Sequence, residues 1–394
     1  MKESLFNYRF EYENQKYIFN TNNNGLIQIN NDIFTEEERE YLRVNRFWID
    51  DNEDEIALLE REINHNIQKR QKELELTIAL TNYCNFSCVY CYQNKNEKLM
   101  TTEVANMIIE KIDRILNDNI FEGINIHYFG GEPLLNIPVL IYLDENIKKI
   151  TDKIGIVYKA FLTTNGSMLS KELLQKVKFS SIQLTFDGLE KTHDRLRVSD
   201  HFHFKEEIEL IENIMNFSQA KVLLRTNICK ENKDEIIALH KYIFEKFGNE
   251  RIEINPNRTI KYHQDDSFEM LSVQEYAEVA YQIKLLWSEQ KGKFELPVPR
   301  STPCKFPYGN AYAISPEGYC TFCSGSMDQE KKYFFDVDIE NKKMFSVRKE
   351  CKKCNILPLC LGGCIIQYNL RAGACTYEKY ELKNILISYI KHIS

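Results

Sequence analysis

The chain has 394 residues, of which 43% are hydrophobic and 28% charged, and its formal net charge is −7. This composition is that of a globular protein with a full-size core, and it excludes an intrinsically disordered chain. The acidic charge is spread over alternating runs, which argues against nucleic-acid binding, because phosphate contacts need a basic stripe. The first residues lack the apolar stretch of a signal peptide, and no later stretch is apolar enough to span a membrane, so we expect a cytoplasmic protein.

The sequence pattern of residues 1–73 predicts a small N-terminal unit of a hairpin and helices. Residues 7–31 alternate apolar and polar positions around an Asn-Asn-Asn-Gly turn, which predicts a β-hairpin. Acidic sequence with helical character follows from about Phe34 to Lys72. A hairpin in this position would cover the edge of a sheet.

Residues 74–300 alternate short strand-like segments with amphipathic helical segments, and a capping box at Ser272 and Glu275 opens the last long helix. The predicted strands are 74–81, 124–130, 157–164, 181–186, 221–228 and 251–256. Repeated strand-helix units predict a parallel sheet with right-handed crossovers. The expected fold class is therefore α/β, a partial (β/α)6 barrel whose chemistry lies at the carboxyl ends of its strands.

Beyond residue 300 this rhythm stops, and residues 301–380 predict a cysteine-rich domain, followed by a C-terminal helix over 381–394. The chain holds 12 cysteines, eight of them between 304 and 375. Cytoplasmic thiols are kept reduced, so iron-sulfur or other metal ligation is expected rather than disulfides. The segment "CKKCNILPLCLGGC" has too little apolar sequence for a core of its own, which also favours metal-stabilised structure.

The loop after the first predicted barrel strand, "TNYCNFSCVYCY", carries three cysteines: Cys84, Cys88 and Cys91. Three thiolates can bind three irons of a [4Fe-4S] cube and leave the fourth iron open to a ligand. A zinc site is the alternative, but zinc usually takes four ligands in pairs, and no second pair lies nearby in the sequence.

The stretch "CNFSCVYC" resembles the C-x3-C-x-aromatic-C signature of the radical S-adenosylmethionine (SAM) superfamily. "GGEP" (130–133) after the second strand, "TTNG" (163–166) after the third and "LTFDG" (184–188) after the fourth resemble further motifs of that superfamily. The resemblance covers roughly residues 74–375. It implies that the three loop cysteines hold a [4Fe-4S] cluster and that SAM completes the fourth iron.

The resemblance also implies a set of SAM contacts: Tyr90, Gly130, Gly131, Glu132, Thr164 and Thr185. Glu132 would offer a carboxylate to the SAM ammonium, and the glycines would let the backbone approach the ligand. Taken singly, the same residues are common in loops, turns and cores. The implied chemistry is reductive cleavage of SAM to a 5′-deoxyadenosyl radical, which abstracts a hydrogen atom from a substrate.

The later cysteines resemble the SPASM domain of radical SAM enzymes that modify peptides and proteins. The resemblance implies an outer auxiliary [4Fe-4S] cluster on Cys351, Cys354, Cys360 and Cys375. It implies an inner one on Cys304, Cys323 and Cys364, with Cys320 either its fourth ligand or a spare thiol. With the first cluster this makes three [4Fe-4S] clusters, zinc being the alternative here too. We interpret the lone Cys229 as a small buried hydrophobe.

The resemblance favours a peptide maturase that acts on a ribosomally made precursor peptide with a leader and installs a cross-link. A thioether is the preferred interpretation of that cross-link. An electron donor such as flavodoxin or ferredoxin is implied. The first alternative is oxidation of a cysteine or serine to formylglycine, as in anaerobic sulfatase maturases. Those enzymes carry an aspartate directly after an auxiliary-cluster cysteine, whereas in this sequence Ser324 follows Cys323. The second is a non-catalytic, metal-stabilised binding module.

The N-terminal hairpin resembles the start of the leader-recognition domains of peptide maturases, which add a leader as a β-strand. No general base is assigned from the sequence. Asp187, His193 and Arg197 either line the active-site mouth or form a salt-bridged loop.

Overall fold

The structure is a computed structural model that describes residues 1–394 except 30–33, 119–120, 249–250, 262–266, 322, 327–331, 338–343, 365–374 and 394. The strands are β1 (Lys2–Glu3), β2 (Asn7–Tyr12), β3 (Gln15–Asn20), β4 (Gly25–Ile29), β5 (Trp48–Ile49), β6 (Glu73–Ala79), β7 (Ser87–Cys88), β8 (Gly123–Phe129), β9 (Val157–Thr163), β10 (Phe179–Thr185), β11 (Arg197–Val198), β12 (Lys221–Ile228), β13 (Ile252–Arg258), β14 (Ala311–Ile314), β15 (Tyr319–Thr321) and β16 (Lys332–Tyr333).

The α-helices are α1 (Glu36–Val44), α2 (Glu55–Arg70), α3 (Thr102–Asp118), α4 (Ile137–Ile154), α5 (Lys171–Lys176), α6 (Glu190–Leu196), α7 (Phe204–Phe217), α8 (Ile236–Phe247), α9 (Val273–Lys291), α10 (Lys305–Tyr308), α11 (Leu357–Cys360) and α12 (Glu378–Ile393). Within the described residues, no helix is both long and apolar enough to cross a membrane.

The chain divides into two compact units, each built from separate stretches of sequence. Unit 1 comprises Met1–Lys69, Ser272–Tyr308 and Lys343–Ser394, and unit 2 comprises Arg70–Leu271 and Gly309–Lys342. The contacts thus group the chain differently from the predicted domains, because the cysteine-rich region contributes to both units.

Unit 2 is organised around a nine-stranded sheet in the order β13-β12-β10-β9-β8-β6-β14-β15-β16. The six strands β6, β8, β9, β10, β12 and β13 pair in parallel in chain order. Buried residues alternate along β12, while β6 is buried along nearly its whole length, as suits a strand covered on both faces. The predicted α/β fold with six parallel barrel strands is confirmed.

The sheet continues beyond β6 in a way that the sequence did not predict. Residues 311–321, within the predicted cysteine-rich domain, form a hairpin whose first strand, β14, pairs in parallel with β6. Its second strand, β15, then pairs antiparallel with β14. Partners so far apart in sequence cannot be inferred from local pattern.

Unit 1 contains an antiparallel sheet of three strands in the order β2-β3-β4. The predicted single hairpin over 7–31 is therefore corrected, since an additional turn at Glu13 and Asn14, both with positive φ, splits its first arm into β2 and β3; residues 30 and 31 lie outside the described part. The Asn-Asn-Asn-Gly turn joins β3 to β4 as predicted.

The core of unit 1 joins the two ends of the chain. Phe10 and Phe19 of the N-terminal sheet pack with Leu359, Leu382 and Leu386. The cysteine-rich segment thus shares a core with the N-terminal sheet and with α12, which agrees with its lack of apolar sequence for a core of its own.

Candidate radical site

The cysteine loop follows β6 at the carboxyl edge of the parallel sheet. Cys84, Cys88 and Cys91 are all half-buried and carry no disulfide. Cys88 lies in β7, whose two residues pair antiparallel with β11, where Arg197 is its partner. This short ladder fixes the middle of a loop that has little other regular structure.

The three thiols lie close enough to affect one another. Burial raises the pKa of the Cys84 thiol, with Cys91 contributing, and burial together with Cys84 and Cys91 raises that of Cys88 to about 11, although Arg197 lowers it. Thiols gathered in this way lose a proton at neutral pH only if a cation compensates the charge, and a metal ion does so outright.

The donor set fits a [4Fe-4S] cube better than a single ion. Among the described residues, no three His, Cys, Asp or Glu side chains converge on one metal position. A cube spreads its thiolates over different irons, so such convergence is not required of its ligands. The three soft thiolates on one loop therefore fit the cluster that the sequence predicts.

The Gly-Gly-Glu-Pro loop after β8 lies directly against the cysteine loop. The amide of Gly131 donates to the carbonyl of Thr81 at 2.8 Å, and that of Glu132 donates to the carbonyl of Tyr83 at 2.8 Å. A Cβ on Gly130 would approach the Thr81 carbonyl oxygen to 2.5 Å, and one on Gly131 would overlap the Tyr83 carbonyl. Both glycines are thus required by close contact between the two loops.

Glu132 is fully buried, and its carboxylate organises the loop after β9. It accepts hydrogen bonds from the Thr164 hydroxyl at 2.6 Å, the Asn165 amide at 2.7 Å and the Leu134 amide at 3.0 Å. Burial raises the pKa of Glu132 to about 6, although these donors lower it. The observed role of this side chain is to bind two loops together, and its expected contact with the SAM ammonium stays a prediction.

Asn165 completes the junction and was not singled out from the sequence. Its amide nitrogen donates to the side chain of Asn85 at 2.8 Å and lies 3.9 Å from the Cys84 sulfur. The signal was present, because Asn165 is the third residue of the "TTNG" stretch. That stretch was interpreted through Thr164 alone.

Tyr90 belongs to a buried network below the cysteine loop. Its hydroxyl bonds to Asp187, and the Arg197 guanidinium lies 3.4 Å from the same hydroxyl. Asp187 also accepts the Asn227 amide at 2.7 Å, and the Tyr90 ring meets Phe268 edge-on. Burial raises the pKa of Asp187, while Arg197 lowers it.

This network extends to His193 and Glu207, whose side chains lie 3.2 Å apart and are almost wholly buried. Asp187, His193 and Arg197 are at most 6% exposed. Of the two interpretations of these residues, the structure favours the salt-bridged loop over the active-site mouth. Thr164 and Thr185 lie at the carboxyl ends of β9 and β10 and are also buried.

Residues 78–243 match the Radical SAM superfamily. The chain carries a radical SAM domain. This superfamily implies SAM and a [4Fe-4S] cluster, and the predicted radical SAM domain is confirmed over these residues.

The similar proteins cover different shares of the chain. Uncharacterized protein MJ0907 of Methanocaldococcus jannaschii is 34% identical over 119 residues, covering 29% of this chain and 39% of that protein. Radical SAM cyclopropyl synthase TigE of Paramaledivibacter caminithermalis is 24% identical over 372 residues, covering 83% of this chain and 76% of that protein. GTP 3′,8-cyclase of Helicobacter pylori is 31% identical over 186 residues, covering 45% and 53%. The chain thus spans only about two fifths to one half of two of these relatives.

Solved structures share the fold at low sequence identity. Native anSMEcpe with bound AdoMet and Cp18Cys peptide has a TM-score of 0.64 and 18% identity, with 82% of this chain and 100% of that one covered. Streptococcus suis SuiB bound to precursor peptide SuiA has a TM-score of 0.55 and 16% identity, with 96% and 98% covered.

Outside the radical SAM domain, unit 1 brings together four of the later cysteines. Burial raises the pKa of the Cys351 thiol, with Cys354 and Cys375 contributing, and burial raises that of Cys360 to about 11, with Cys354 contributing, so Cys354 lies near both Cys351 and Cys360. These four cysteines are the residues predicted to hold the outer auxiliary cluster.

The predicted ligands of the inner cluster are divided between the two units. Cys304 and Cys364 belong to unit 1, and Cys320 and Cys323 to unit 2. Cys320 is buried in β15 and Cys323 is half-buried, whereas Cys304 and Cys364 are exposed. Cys229, interpreted as a buried hydrophobe, is fully buried in the core of unit 2.

Proposed function

We propose that the protein is a radical SAM enzyme that modifies a ribosomally made precursor peptide and installs a thioether cross-link. The observation that carries the proposal is the junction of three loops at the carboxyl edge of the sheet. There the cysteine loop, the Gly-Gly-Glu-Pro loop and the "TTNG" loop are joined by hydrogen bonds from backbone and side chains. Such a junction holds the three thiols in a fixed arrangement.

In this proposal Cys84, Cys88 and Cys91 hold a [4Fe-4S] cluster, and SAM binds beside it against Tyr90, the Gly130–Glu132 loop, Thr164 and Thr185. When bound, these groups supply a 5′-deoxyadenosyl radical that removes one hydrogen atom from the substrate. The chain's own contribution is to fix the cysteine loop and to exclude water from the cluster and SAM. The buried Glu132 contributes to both.

A peptide substrate is supported by the proteins that share the fold. SuiB has been solved with its precursor peptide, and anSMEcpe with the Cp18Cys peptide. One relative, which matches 83% of this chain, is named a cyclopropyl synthase. We therefore include in the proposal a leader on the substrate and an electron donor such as flavodoxin or ferredoxin.

Two auxiliary clusters in a SPASM region complete the proposal. The outer cluster is held by Cys351, Cys354, Cys360 and Cys375. The inner cluster is held by Cys304, Cys323 and Cys364, and Cys320 is either its fourth ligand or a spare thiol. Forming a carbon–sulfur bond removes a hydrogen atom from carbon and a proton from the thiol, and leaves one electron over. An iron-sulfur cluster held by these residues would be a suitable acceptor for that electron.

A carbon–carbon bond is the second candidate product, favoured by the name and the coverage of the cyclopropyl synthase. Formylglycine formation has less support, because Ser324 stands where an aspartate follows the corresponding cysteine in sulfatase maturases. A non-catalytic module predicts zinc in place of iron.

The test is to co-express the protein with small peptides encoded beside its gene and to measure the mass of each purified peptide by mass spectrometry. A cross-link of either kind lowers the mass by two hydrogen atoms. Treatment with a thiol-alkylating reagent separates the two, since a thioether consumes the cysteine thiol and a carbon–carbon bond leaves it free to react. Unchanged peptides, together with zinc rather than iron in the protein, would contradict the proposal.

A further inference from the structure

A cavity of about 430 Å³ lies within unit 1. It is formed by α9, by residues 293–300 that follow this helix, and by α12. Its apolar wall consists of Leu285, Leu296, Pro297, Val298, Leu382 and Ile385. None of the residues assigned above to SAM or to a cluster lines it, so it has no part in the proposed function.

Two carboxylates one helical turn apart on α12, Glu378 and Glu381, also line this cavity. One oxygen of Glu378 binds Arg300 at 2.7 Å, and one oxygen of Glu381 binds Lys284 at 2.5 Å. The second oxygen of each is buried and has no hydrogen-bond partner among the described residues. Glu381 is only 3% exposed.

A buried carboxylate oxygen without a donor is costly, because it has lost water and gained nothing in return. The pKa of Glu381 shows the imbalance. Burial raises it, Glu378 raises it further, and Lys284 lowers it without restoring the ordinary value. A ligand that brought N–H donors and positive charge between the two free oxygens would remove both penalties.

We propose that this cavity binds a ligand whose ammonium or guanidinium group is carried on an apolar chain. The cationic end binds the free oxygens of Glu378 and Glu381, and the chain lies along the apolar wall. Tyr377 already receives the Lys284 ammonium over its ring at 5.1 Å, which shows that cations are tolerated on this side of the cavity. The ligand is either a free amine or a basic side chain of a peptide.

Calorimetric titration of the full-length, iron-loaded protein tests this directly. The first pair of probes is acetyl-Leu-Arg-amide and acetyl-Leu-citrulline-amide, which differ by one charge at nearly constant shape. The second pair is hexylamine and hexanol. We expect each cationic probe to bind at least about tenfold more tightly than its neutral partner, since charged hydrogen bonds are the stronger ones. Tighter binding of the peptide than of the amine identifies a peptide side chain as the source, and the reverse order identifies a free amine.

Substitutions locate the site. Glu381→Gln and Glu378→Gln should each remove most of this preference, whereas Glu295→Gln should leave it unchanged. Glu295 lines the same cavity, but its side chain is 65% exposed and is paired with Lys293. If Glu381→Gln unfolds the protein, Glu378→Gln decides, because that side chain is less deeply buried.

Equal binding of the charged and neutral probes overturns the proposal. So does an unchanged preference in a folded Glu378→Gln variant. Binding is measured without SAM turnover, so failure here leaves the proposed function standing, and failure of the proposed function leaves this site standing.

Discussion

Single residues at the radical site act mainly by holding loops in place. Glu132 accepts three hydrogen bonds from two different loops. Arg197 is buried between Tyr90 and the ring of Phe86, whose centroid lies 5.5 Å from its guanidinium carbon. The burial of Glu132 is thus compensated by three donors, and the charge of Arg197 is compensated electrostatically by Asp187 and Glu207.

Replacing Arg197 by methionine should lower the free energy of unfolding by about 3 kcal/mol, because the buried carboxylates of Asp187 and Glu207 lose their cation. Arg195→Met is the matched control, since Arg195 is exposed two residues earlier, and it should change stability by less than about 0.5 kcal/mol. Denaturant unfolding measures both. Equal losses would show that the buried network is not what holds this loop.

His240 provides a prediction about pH. It is fully buried, and burial lowers its pKa from 6.5 to about 4. Because the pKa is lower in the folded state, only the unfolded chain takes up a proton on His240 between these pH values. The contribution of neutral His240 to the free energy of unfolding is therefore complete above pH 6.5 and is lost as pH falls toward 4. Between pH 7 and pH 5, wild type should lose about 2 kcal/mol more than His240→Gln. Parallel losses in the two proteins would show that His240 titrates normally.

At the scale of elements, local pattern predicts most of unit 2. The six parallel strands and the capping box of α9, in which Ser272 and Glu275 bond to each other's backbone, follow from alternation and spacing. The positions of the three cysteines at a strand end follow as well. These features depend on residues that are neighbours in sequence.

Features that depend on distant partners could not be predicted in this way. The pairing of β14 with β6 joins residues more than 230 positions apart, and the packing of Phe10 against Leu382 joins the two ends of the chain. The turn at Glu13 and Asn14 was missed because neither residue is glycine, although both adopt positive φ. Asn165 was missed because its role appears only when the loops meet.

The close contact between the glycine loop and the cysteine loop predicts a specific loss of iron. Gly131→Ala must displace the Tyr83 carbonyl, and with it the start of the cysteine loop, so we expect most iron at the first cluster to be lost. Gly155→Ala is the control: Gly155 has a positive φ of 83°, and nothing lies within 4 Å of an added Cβ. It should cost about 1 kcal/mol of stability and retain iron. Full iron content in Gly131→Ala would mean that the loops are not coupled.

At the scale of the whole molecule, two of the three predicted sets of cluster cysteines lie each within one compact unit, and the inner set is divided between the units. Unit 2 holds the radical SAM loop, and unit 1 holds Cys351, Cys354, Cys360 and Cys375, of which Cys354 acts on both Cys351 and Cys360. Unit 1 also joins the N-terminal sheet to the C-terminal helix in one core. Its stability should therefore depend on any metal that those four thiols hold.

Three clusters predict about 12 iron atoms per chain, and one cluster about four. Cys354→Ala should remove about four of them, because Cys354 influences both Cys351 and Cys360. Cys229→Ala should remove none, since Cys229 lies buried in the core of unit 2. Iron and sulfide analysis of anaerobically prepared protein measures this. A wild-type count near four would contradict the auxiliary clusters while leaving the radical site intact.

We propose that the loop of Cys84, Cys88 and Cys91 holds a cluster that cleaves SAM. The most direct measurement is the formation of 5′-deoxyadenosine from SAM by the reduced, anaerobically purified protein, with Cys88→Ala and Cys229→Ala beside wild type. We expect SAM binding and cleavage in wild type and in Cys229→Ala, and loss of cleavage in Cys88→Ala. An iron-loaded wild type that neither binds nor cleaves SAM, or a Cys88→Ala variant as active as wild type, would contradict it.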